Sequence, residues 1–201
     1  MKLILASASP RRAEILTNAG LTFETHSADV DESRRTKESP ADLVERLALA
    51  KAQAVADRSP IAEPTIVIGA DTIVVVEDDI LGKPGTSAVA RDMLRRLGGR
   101  EHAVITGVAL AVLSAGPAPL AYTTRVEHEI TRVWFSPMNS KEIDDYVATG
   151  EPLDKAGSYA IQGLAGRFIP RIEGCYFNVV GLPLARVWRM LAEANFCAAE
   201  K

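Results

Sequence analysis

Residues 65–77 read TIVIGADTIVVVE, a run of isoleucine and valine that is interrupted by one carboxylate, Asp71. A continuous run of β-branched residues is typical of a strand that is buried on both faces of a sheet. A carboxylate inside such a strand needs a partner, either a metal ion, a basic side chain or backbone N–H groups. Two interpretations are open at this point: Asp71 closes a turn beside Gly69, or it is a catalytic carboxylate.

The segments around this strand alternate between strand and helix patterns. Residues 2–6 are short and apolar, which predicts a strand, and Ser9 and Pro10 then begin a helix that Gly20 ends. Further strands are predicted at 23–27, 103–113 and 120–135, and further helices at 39–55, 86–97, 140–148 and from 183 onward. The last helix is expected to pack inward through Leu184, Val187, Trp188 and Leu191. One α/β domain with a mixed sheet, over residues 1–201, follows from this order.

Basic residues lie in the first turn of the first predicted helix. Arg11 and Arg12 have the wrong sign for a helix N-terminus, where the backbone N–H groups already carry partial positive charge. With the hydroxyls of Ser7 and Ser9, they would form a cradle for an anion. The alternative is a solvated pair of arginines.

A lysine lies within the apolar face of the second helix. That face is predicted to consist of Leu43, Leu47, Ala50, Ala54 and Val55. Lys51 follows Leu47 by one helical turn, so it either extends to the edge of the helix or meets a buried anion. We expect it to point towards the same interior as Asp71.

Three other segments carry candidate residues. Gly82 and Pro84 restrict the backbone around Lys83, which is otherwise an ordinary surface lysine. The polar loop 28–38 contains Glu32, a candidate metal ligand if it is not simply solvated. The glycine-rich segment 150–166 holds its polar residues among small ones, as expected where backbone surrounds a ligand; they are Asp154, Lys155 and Gln162.

The bulk properties exclude several classes of protein. The net charge of −3 does not favour general adhesion to nucleic acid or to anionic membranes. Cys175 and Cys197 form no CxxC motif, and the three histidines have no zinc-site spacing. The apolar run near the N-terminus is too short for a signal peptide, and no segment is long enough for a membrane span. We therefore expect a soluble, cytoplasmic protein that binds neither nucleic acid nor membrane.

The candidate residues together favour a polyphosphate ligand. Serine hydroxyls and basic side chains suit phosphate oxygens, and carboxylates suit Mg²⁺ or Mn²⁺. The sequence contains neither GxxxxGK[ST] nor GxGxxG, which excludes a P-loop or a dinucleotide fingerprint. A phosphatase with an aspartyl nucleophile would need a second Asp where Ile73 stands. These residues indicate an α/β enzyme, or a binding protein, for a phosphorylated small molecule.

Seven segments, in order, resemble the Maf family of nucleoside triphosphate pyrophosphatases. They are LILASASPRRAEIL (3–16), VDE (30–32), ALAKA (48–52), GADTIVV (69–75), LGKP (81–84), GEPLDKAGSYAIQG (150–163) and NVVGLPL (178–184). The resemblance implies hydrolysis between the α and β phosphates, which gives a nucleoside monophosphate and pyrophosphate with a divalent metal, Mg²⁺ or Mn²⁺. It also implies a long mixed sheet flanked by helices, a nucleotide cleft, a fold similar to inosine triphosphatases, and a homodimer.

The resemblance also implies roles for individual residues. Asp71 resembles the general base or a metal ligand, and Glu32 resembles a metal-binding or catalytic carboxylate. Lys51 and Lys83 resemble the phosphate ligands, and Ser7 and Arg12 the phosphate-binding loop. Arg12, Thr72 and Gln162 fall where the family sets its substrate choice, and they resemble the branch that acts on dTTP and UTP. An amide such as Gln162 can pair with the donor–acceptor edge of uracil or thymine. The alternative is a nucleotide-binding regulator of septum formation with little turnover.

Overall fold

The computed structural model describes residues 1–58, 63–114 and 122–196. Within these residues there are seven strands: β1 (Lys2–Ala6), β2 (Glu24–Thr25), β3 (Thr65–Val76), β4 (Asp79–Leu81), β5 (Glu101–Leu113), β6 (Tyr122–Trp134) and β7 (Arg171–Glu173). The same residues form six α-helices: α1 (Pro10–Asn18), α2 (Pro40–Ala56), α3 (Ser87–Leu97), α4 (Ser140–Ala148), α5 (Tyr176–Val180) and α6 (Leu184–Glu193). Three short 3₁₀ helices follow α4.

The strands form one mixed sheet in the order β2-β1-β3-β5-β6-β7, and β4 pairs with β3. β1 is parallel to both β2 and β3, whereas β4 is antiparallel to β3 and β7 is antiparallel to β6. The predicted α/β fold with a mixed sheet flanked by helices is confirmed. In the register of β1 and β3, Ala6 lies opposite Gly69.

The chain divides into two compact units, each made of separate segments. The first unit comprises Met1–Asp71, Thr106–Glu129 and Gly181–Lys201, and the second comprises Thr72–Ile105 and Ile130–Val180. The single domain expected over residues 1–201 stays a prediction.

In the first unit, α2 packs closely against the sheet. Ser39 begins the helix, and its hydroxyl accepts a hydrogen bond from the N–H of Asp42 at 3.1 Å. A Cβ atom at Gly69 would lie 2.1 Å from the carbonyl oxygen of Ala48, so only glycine permits this approach of helix and strand. The buried face of α2 consists of Leu43, Val44, Leu47, Ala48, Lys51, Ala52, Val55 and Ala56. The expectation that Ala50 and Ala54 belong to it is wrong, because both are only half-buried.

In the second unit, the core contains an aromatic cluster. His102 is 3% exposed, and its ring meets those of Phe135 and Tyr159 edge to face. Its Nε2 lies 2.8 Å from the Tyr159 hydroxyl, and burial lowers the pKa of His102 to about 4. The imidazole is therefore neutral at ordinary pH.

Several sequence predictions need correction. Trp188 is 47% exposed, because α6 buries Val187, Met190 and Leu191, and this face leaves Trp188 to one side. The strand expected at 23–27 is only two residues long. β4, β7 and α5 were not predicted, because their short segments carry little periodicity. Residues 120 and 121 of the predicted strand 120–135 lie outside the described residues, as does Cys197.

Cys175 is a free, half-buried thiol. No helix in the described part of the chain is both long and apolar enough to cross a bilayer.

Candidate active site

The first unit brings several predicted site residues to the carboxyl end of β1, where its parallel pairing with β3 ends. Because these strands are parallel and Ala6 lies opposite Gly69, Ser7 leaves β1 at the same edge at which β3 carries Asp71. The carboxyl ends of parallel strands are where open α/β sheets bind their ligands. A ligand site in the first unit is therefore expected at this end of the parallel strands.

A lysine and two carboxylates meet at this edge. The Nζ atom of Lys51 lies 2.6 Å from Asp71 Oδ1 and 2.6 Å from Glu32 Oε1. The side chains of Lys51 and Asp71 are 11% and 12% exposed, whereas that of Glu32 is 58% exposed. Lys51 therefore meets a buried anion instead of extending to the helix edge. Asp71 does not close a turn, because β3 continues to Val76.

The loop that carries Glu32 is attached to α2 by Arg46, a residue with no role predicted from the sequence. Arg46 Nη2 donates to the carbonyl oxygen of Ser33 at 3.0 Å, and its Nε donates to Glu38 Oε1 at 2.5 Å. The hydrogen bonds from Arg46 lower the pKa of Glu38 to about 2. Arg46 and Lys51 both lie on α2, so one helix fixes the loop at Ser33 and pairs with Glu32 beside it.

The guanidinium of Arg12 connects three parts of the first unit. Its Nη1 donates to Ser7 Oγ at 3.2 Å and to the carbonyl oxygen of Ala70 at 2.9 Å, and its Nε donates to the carbonyl oxygen of Gly181 at 2.8 Å. Burial lowers the pKa of Arg12 and the nearby carboxylate of Asp71 raises it, but a guanidinium stays charged in either case. Arg12 therefore holds a positive charge beside Asp71.

The start of α1 differs from an ordinary capped helix. The Ser9 side chain makes no capping hydrogen bond, and the N–H of Ser9 instead donates to Ser7 Oγ at 3.1 Å. Arg11 is half-buried on α1, and its charge acts on Arg12. Of the four residues predicted to form an anion cradle, the structure joins the side chains of Ser7 and Arg12, and the anion-binding role of the group stays a prediction.

The other predicted site residues belong to the second unit. Thr72 is half-buried in β3, and Lys83 is exposed after β4. Lys155 Nζ lies 2.6 Å from Asp154 Oδ1 and 2.9 Å from the carbonyl oxygen of Glu151. Gln162 is exposed in the turn that follows. The substrate roles of these residues stay predictions.

The groups that orient the predicted residues were not predicted from the sequence. The partners of Arg12 at Ala70 and Gly181 are backbone carbonyls, which have no side-chain signature. Tyr146 and Glu151 bond to the segment that carries Gln162. The only available signal for Glu151 was its position inside the quoted segment at 150–163.

Comparisons with known proteins identify the family of this chain. Residues 2–194 match the family model described as Maf-like protein, and the chain belongs to the Maf family. A protein of Symbiobacterium thermophilum named dTTP/UTP pyrophosphatase is 52% identical over 195 residues, which cover 97% of this chain and 95% of that protein. A protein with the same name from Geobacillus sp. is 50% identical over 188 residues, which cover 94% and 95%.

Solved structures of lower similarity also match. The structure titled nucleoside-triphosphatase / dITP/XTP pyrophosphatase, from Mycobacterium abscessus, matches 96% of this chain and 97% of its own chain. Its sequence identity is 18% and its TM-score is 0.44.

Proposed function

We propose that this chain hydrolyses pyrimidine nucleoside triphosphates, dTTP and UTP, to the monophosphate and pyrophosphate. The observation that carries this proposal is the group formed by Glu32, Lys51 and Asp71, which lies beside Arg12 where the parallel pairing of β1 and β3 ends. The reaction needs this combination of charges, because phosphoanhydride cleavage requires neutralised phosphates and an activated water. The names of the Maf relatives supply the substrate.

The cations would bind the triphosphate. Arg12 offers a planar guanidinium that is already fixed by backbone carbonyls, so little conformational entropy is lost when it meets a phosphate oxygen. Lys51 has a flexible stem and can exchange a carboxylate for a phosphate oxygen. Lys83, exposed after β4, is the further lysine that the family resemblance assigns to phosphate binding.

Asp71 would act as the general base. Its Oδ1 accepts from Lys51, so Oδ2 is the oxygen to take a proton from water. The water oxygen forms a bond to the α phosphorus, the bond from that phosphorus to the bridging oxygen breaks, and pyrophosphate leaves. The surrounding strand of isoleucine and valine holds the carboxylate in a fixed position.

A divalent cation, Mg²⁺ or Mn²⁺, fits the donor set. Glu32 and Asp71 are hard oxygen ligands that face one ammonium, and Mg²⁺ is commonly held by one or two carboxylates with substrate phosphates and waters. When bound, the cation would neutralise charge on the phosphates and favour ionisation of water. The described residues contain no group of three or more candidate His, Cys, Asp or Glu ligands.

The base would be recognised by the side chains of Thr72 and Gln162. A carboxamide carries one acceptor and one donor group, which complement the O4 and N3–H of uracil or thymine. A site that hydrogen-bonds a substrate in this way discriminates strongly, because the wrong base leaves polar groups unpaired.

A panel of nucleoside triphosphates with Mg²⁺ or Mn²⁺ tests the proposal, with pyrophosphate and orthophosphate measured separately. We expect pyrophosphate from dTTP and UTP. Release of orthophosphate alone would overturn the proposal, and nucleotide binding without turnover would favour the regulator instead. The homodimer stays a prediction, and the molar mass in solution checks it.

A further inference from the structure

The turn that carries Gln162 is held at both ends by one pair of side chains. The N–H of Ala160 donates to the Tyr146 hydroxyl oxygen at 3.3 Å, and the N–H of Leu164 donates to Glu151 Oε2 at 3.1 Å. The Tyr146 hydroxyl itself donates to Glu151 Oε1 at 2.7 Å. Gln162 lies midway between the two anchored N–H groups.

Tyr146 is a rigid support for this turn. It is 0% exposed on α4, and its ring meets that of Phe168 edge to face at 6.3 Å. The helix is fixed at its start by a capping box, in which Asn139 and Glu142 bond to each other's backbone N–H groups. Burial, with the hydrogen bond to Glu151, raises the pKa of the Tyr146 phenol, which therefore stays protonated and donates.

Gly163 lets the Glu151 carboxylate lie directly against the turn. A Cβ atom at Gly163 would lie 2.4 Å from both carboxylate oxygens of Glu151. The turn itself is closed by the N–H of Gly163, which donates to the carbonyl oxygen of Ala160 at 3.0 Å. Any larger residue at 163 would move the Glu151 carboxylate away from its two hydrogen-bond donors, the Tyr146 hydroxyl and the Leu164 N–H.

We infer that Tyr146 and Glu151 are positioning residues that set the choice of base by holding the turn of Gln162. The inference rests on the proposed function, in which Gln162 reads the base. A carboxamide can present either its oxygen or its NH₂ group by rotating about its own terminal bond, so the choice between uracil and cytosine requires the turn to fix where the side chain meets the base edge. A turn that is fixed in place keeps the carboxamide opposite one base edge. Small displacements of a positioned group at such sites lower the rate of the reaction.

The ratio of kcat/KM for UTP to that for CTP is the readout. In Glu151→Ala and Tyr146→Phe we expect this ratio to fall about tenfold, with a raised KM for UTP and a smaller change in kcat. Glu151→Gln should restore part of the ratio, because its single amide oxygen can still accept from one of the two donors, Tyr146 or Leu164. If the variants lower the melting temperature but leave the ratio unchanged, the side chains only stabilise the fold and the inference is wrong. Asp145→Ala, at an exposed acid on the same helix, is the matched control and should leave the ratio unchanged.

A double-mutant cycle tests the contact without relying on one variant. Gly163→Ala removes no hydrogen-bonding group, yet it should lower the UTP to CTP ratio as much as Glu151→Ala does. In the Glu151→Ala background, Gly163→Ala should add little, because the carboxylate that it displaces is gone. Fully additive effects on the ratio would overturn the inference.

Gln162→Ala separates this inference from the proposed function. If Gln162→Ala leaves the UTP to CTP ratio unchanged while the chain still releases pyrophosphate, Gln162 does not read the base and the inference falls with that role. If Gln162→Ala abolishes the preference and Glu151→Ala does not, the inference alone is overturned. Equal losses in Gln162→Ala and Glu151→Ala support it.

Discussion

Lys51 on α2 and Asp71 on β3 form a buried ion pair, with Nζ 2.6 Å from Oδ1. The pair exists because Gly69, two residues before Asp71, allows the backbone of α2 to approach the strand. Glu32 then adds a second carboxylate to the same ammonium from a more exposed position. The ammonium of Lys51 thus lies between two carboxylates. Binding of a metal ion and a triphosphate would change this arrangement.

Asp71→Asn should abolish most turnover while it preserves nucleotide binding. The amide keeps the size of the side chain but accepts a proton poorly, so we expect pyrophosphate release to fall by about 10²- to 10⁴-fold. The affinity for α,β-imido-dUTP, measured by calorimetry without a divalent cation, should change little, since Lys51 and Arg12 remain. The matched control is Asp78→Asn, at an exposed residue just beyond the same strand, which should retain normal turnover. Normal turnover in Asp71→Asn would exclude the base role.

Lys51→Met should destabilise the fold as well as remove a phosphate ligand. Without the ammonium, the carboxylate of Asp71 remains buried and faces Glu32, which we expect to cost about 3 kcal/mol in the free energy of unfolding. Urea denaturation measures this loss. The double variant Lys51→Met with Asp71→Asn should recover part of it, because the uncompensated charge is gone. If the double variant is less stable than Lys51→Met, repulsion does not cause the loss.

Binding of a divalent cation should depend on the nucleotide. The protein offers two carboxylates with Lys51 between them, so Mn²⁺ alone should bind weakly. The phosphates of α,β-imido-dUTP would add ligands and draw Lys51 away, and we expect the affinity for Mn²⁺, measured by electron paramagnetic resonance, to rise about tenfold or more. Uridine, which lacks phosphates, should have no effect. Equal affinity with and without the analogue would contradict this coupling.

The charged residues of this centre were predictable from the sequence, but the groups that hold the predicted site residues in place were not. The β-branched run around Asp71 and the position of Lys51 on an apolar helix face predicted two groups that had to meet, because burial forces charges to pair. The same periodicity failed for Trp188, since hydrophobic character alone does not tell which side of an apolar stripe is buried. The carbonyls that hold Arg12, and the contact of Glu151 with Leu164, involve backbone atoms, which every residue carries.

Gly69→Ala should disrupt the centre through the backbone. The added Cβ would lie 2.1 Å from the carbonyl oxygen of Ala48 and 2.7 Å from the nitrogen of Ala52, and neither atom can move without shifting α2. We expect a loss of about 3 kcal/mol in stability, together with reduced turnover, because the displaced helix carries Lys51. Gly82→Ala is the matched control: nothing lies within 4 Å of its added Cβ, so its stability should stay within about 0.5 kcal/mol of the unmodified chain. Equal stability of the two variants would contradict the close approach.

His102 should make the second unit sensitive to acid. Burial lowers its pKa from 6.5 to about 4, so the unfolded chain binds a proton that the folded chain excludes between these values. Among the described residues, His102 Nδ1 has no hydrogen-bond partner. In the protonated ring both nitrogens carry a hydrogen, and the N–H at Nδ1 would be buried without an acceptor. The stabilising effect is therefore complete above the unfolded pKa and is lost as the pH falls towards the folded one.

His102→Gln measures this effect directly. Between about pH 7 and about pH 5, the unmodified chain should lose about 2 kcal/mol of unfolding free energy that His102→Gln does not lose. His26→Gln, at an exposed histidine, is the matched control and should retain the loss that His102 causes. Parallel pH profiles for the unmodified chain and His102→Gln would mean that His102 takes up its proton equally in both states, because only a group whose pKa changes on folding can alter the slope.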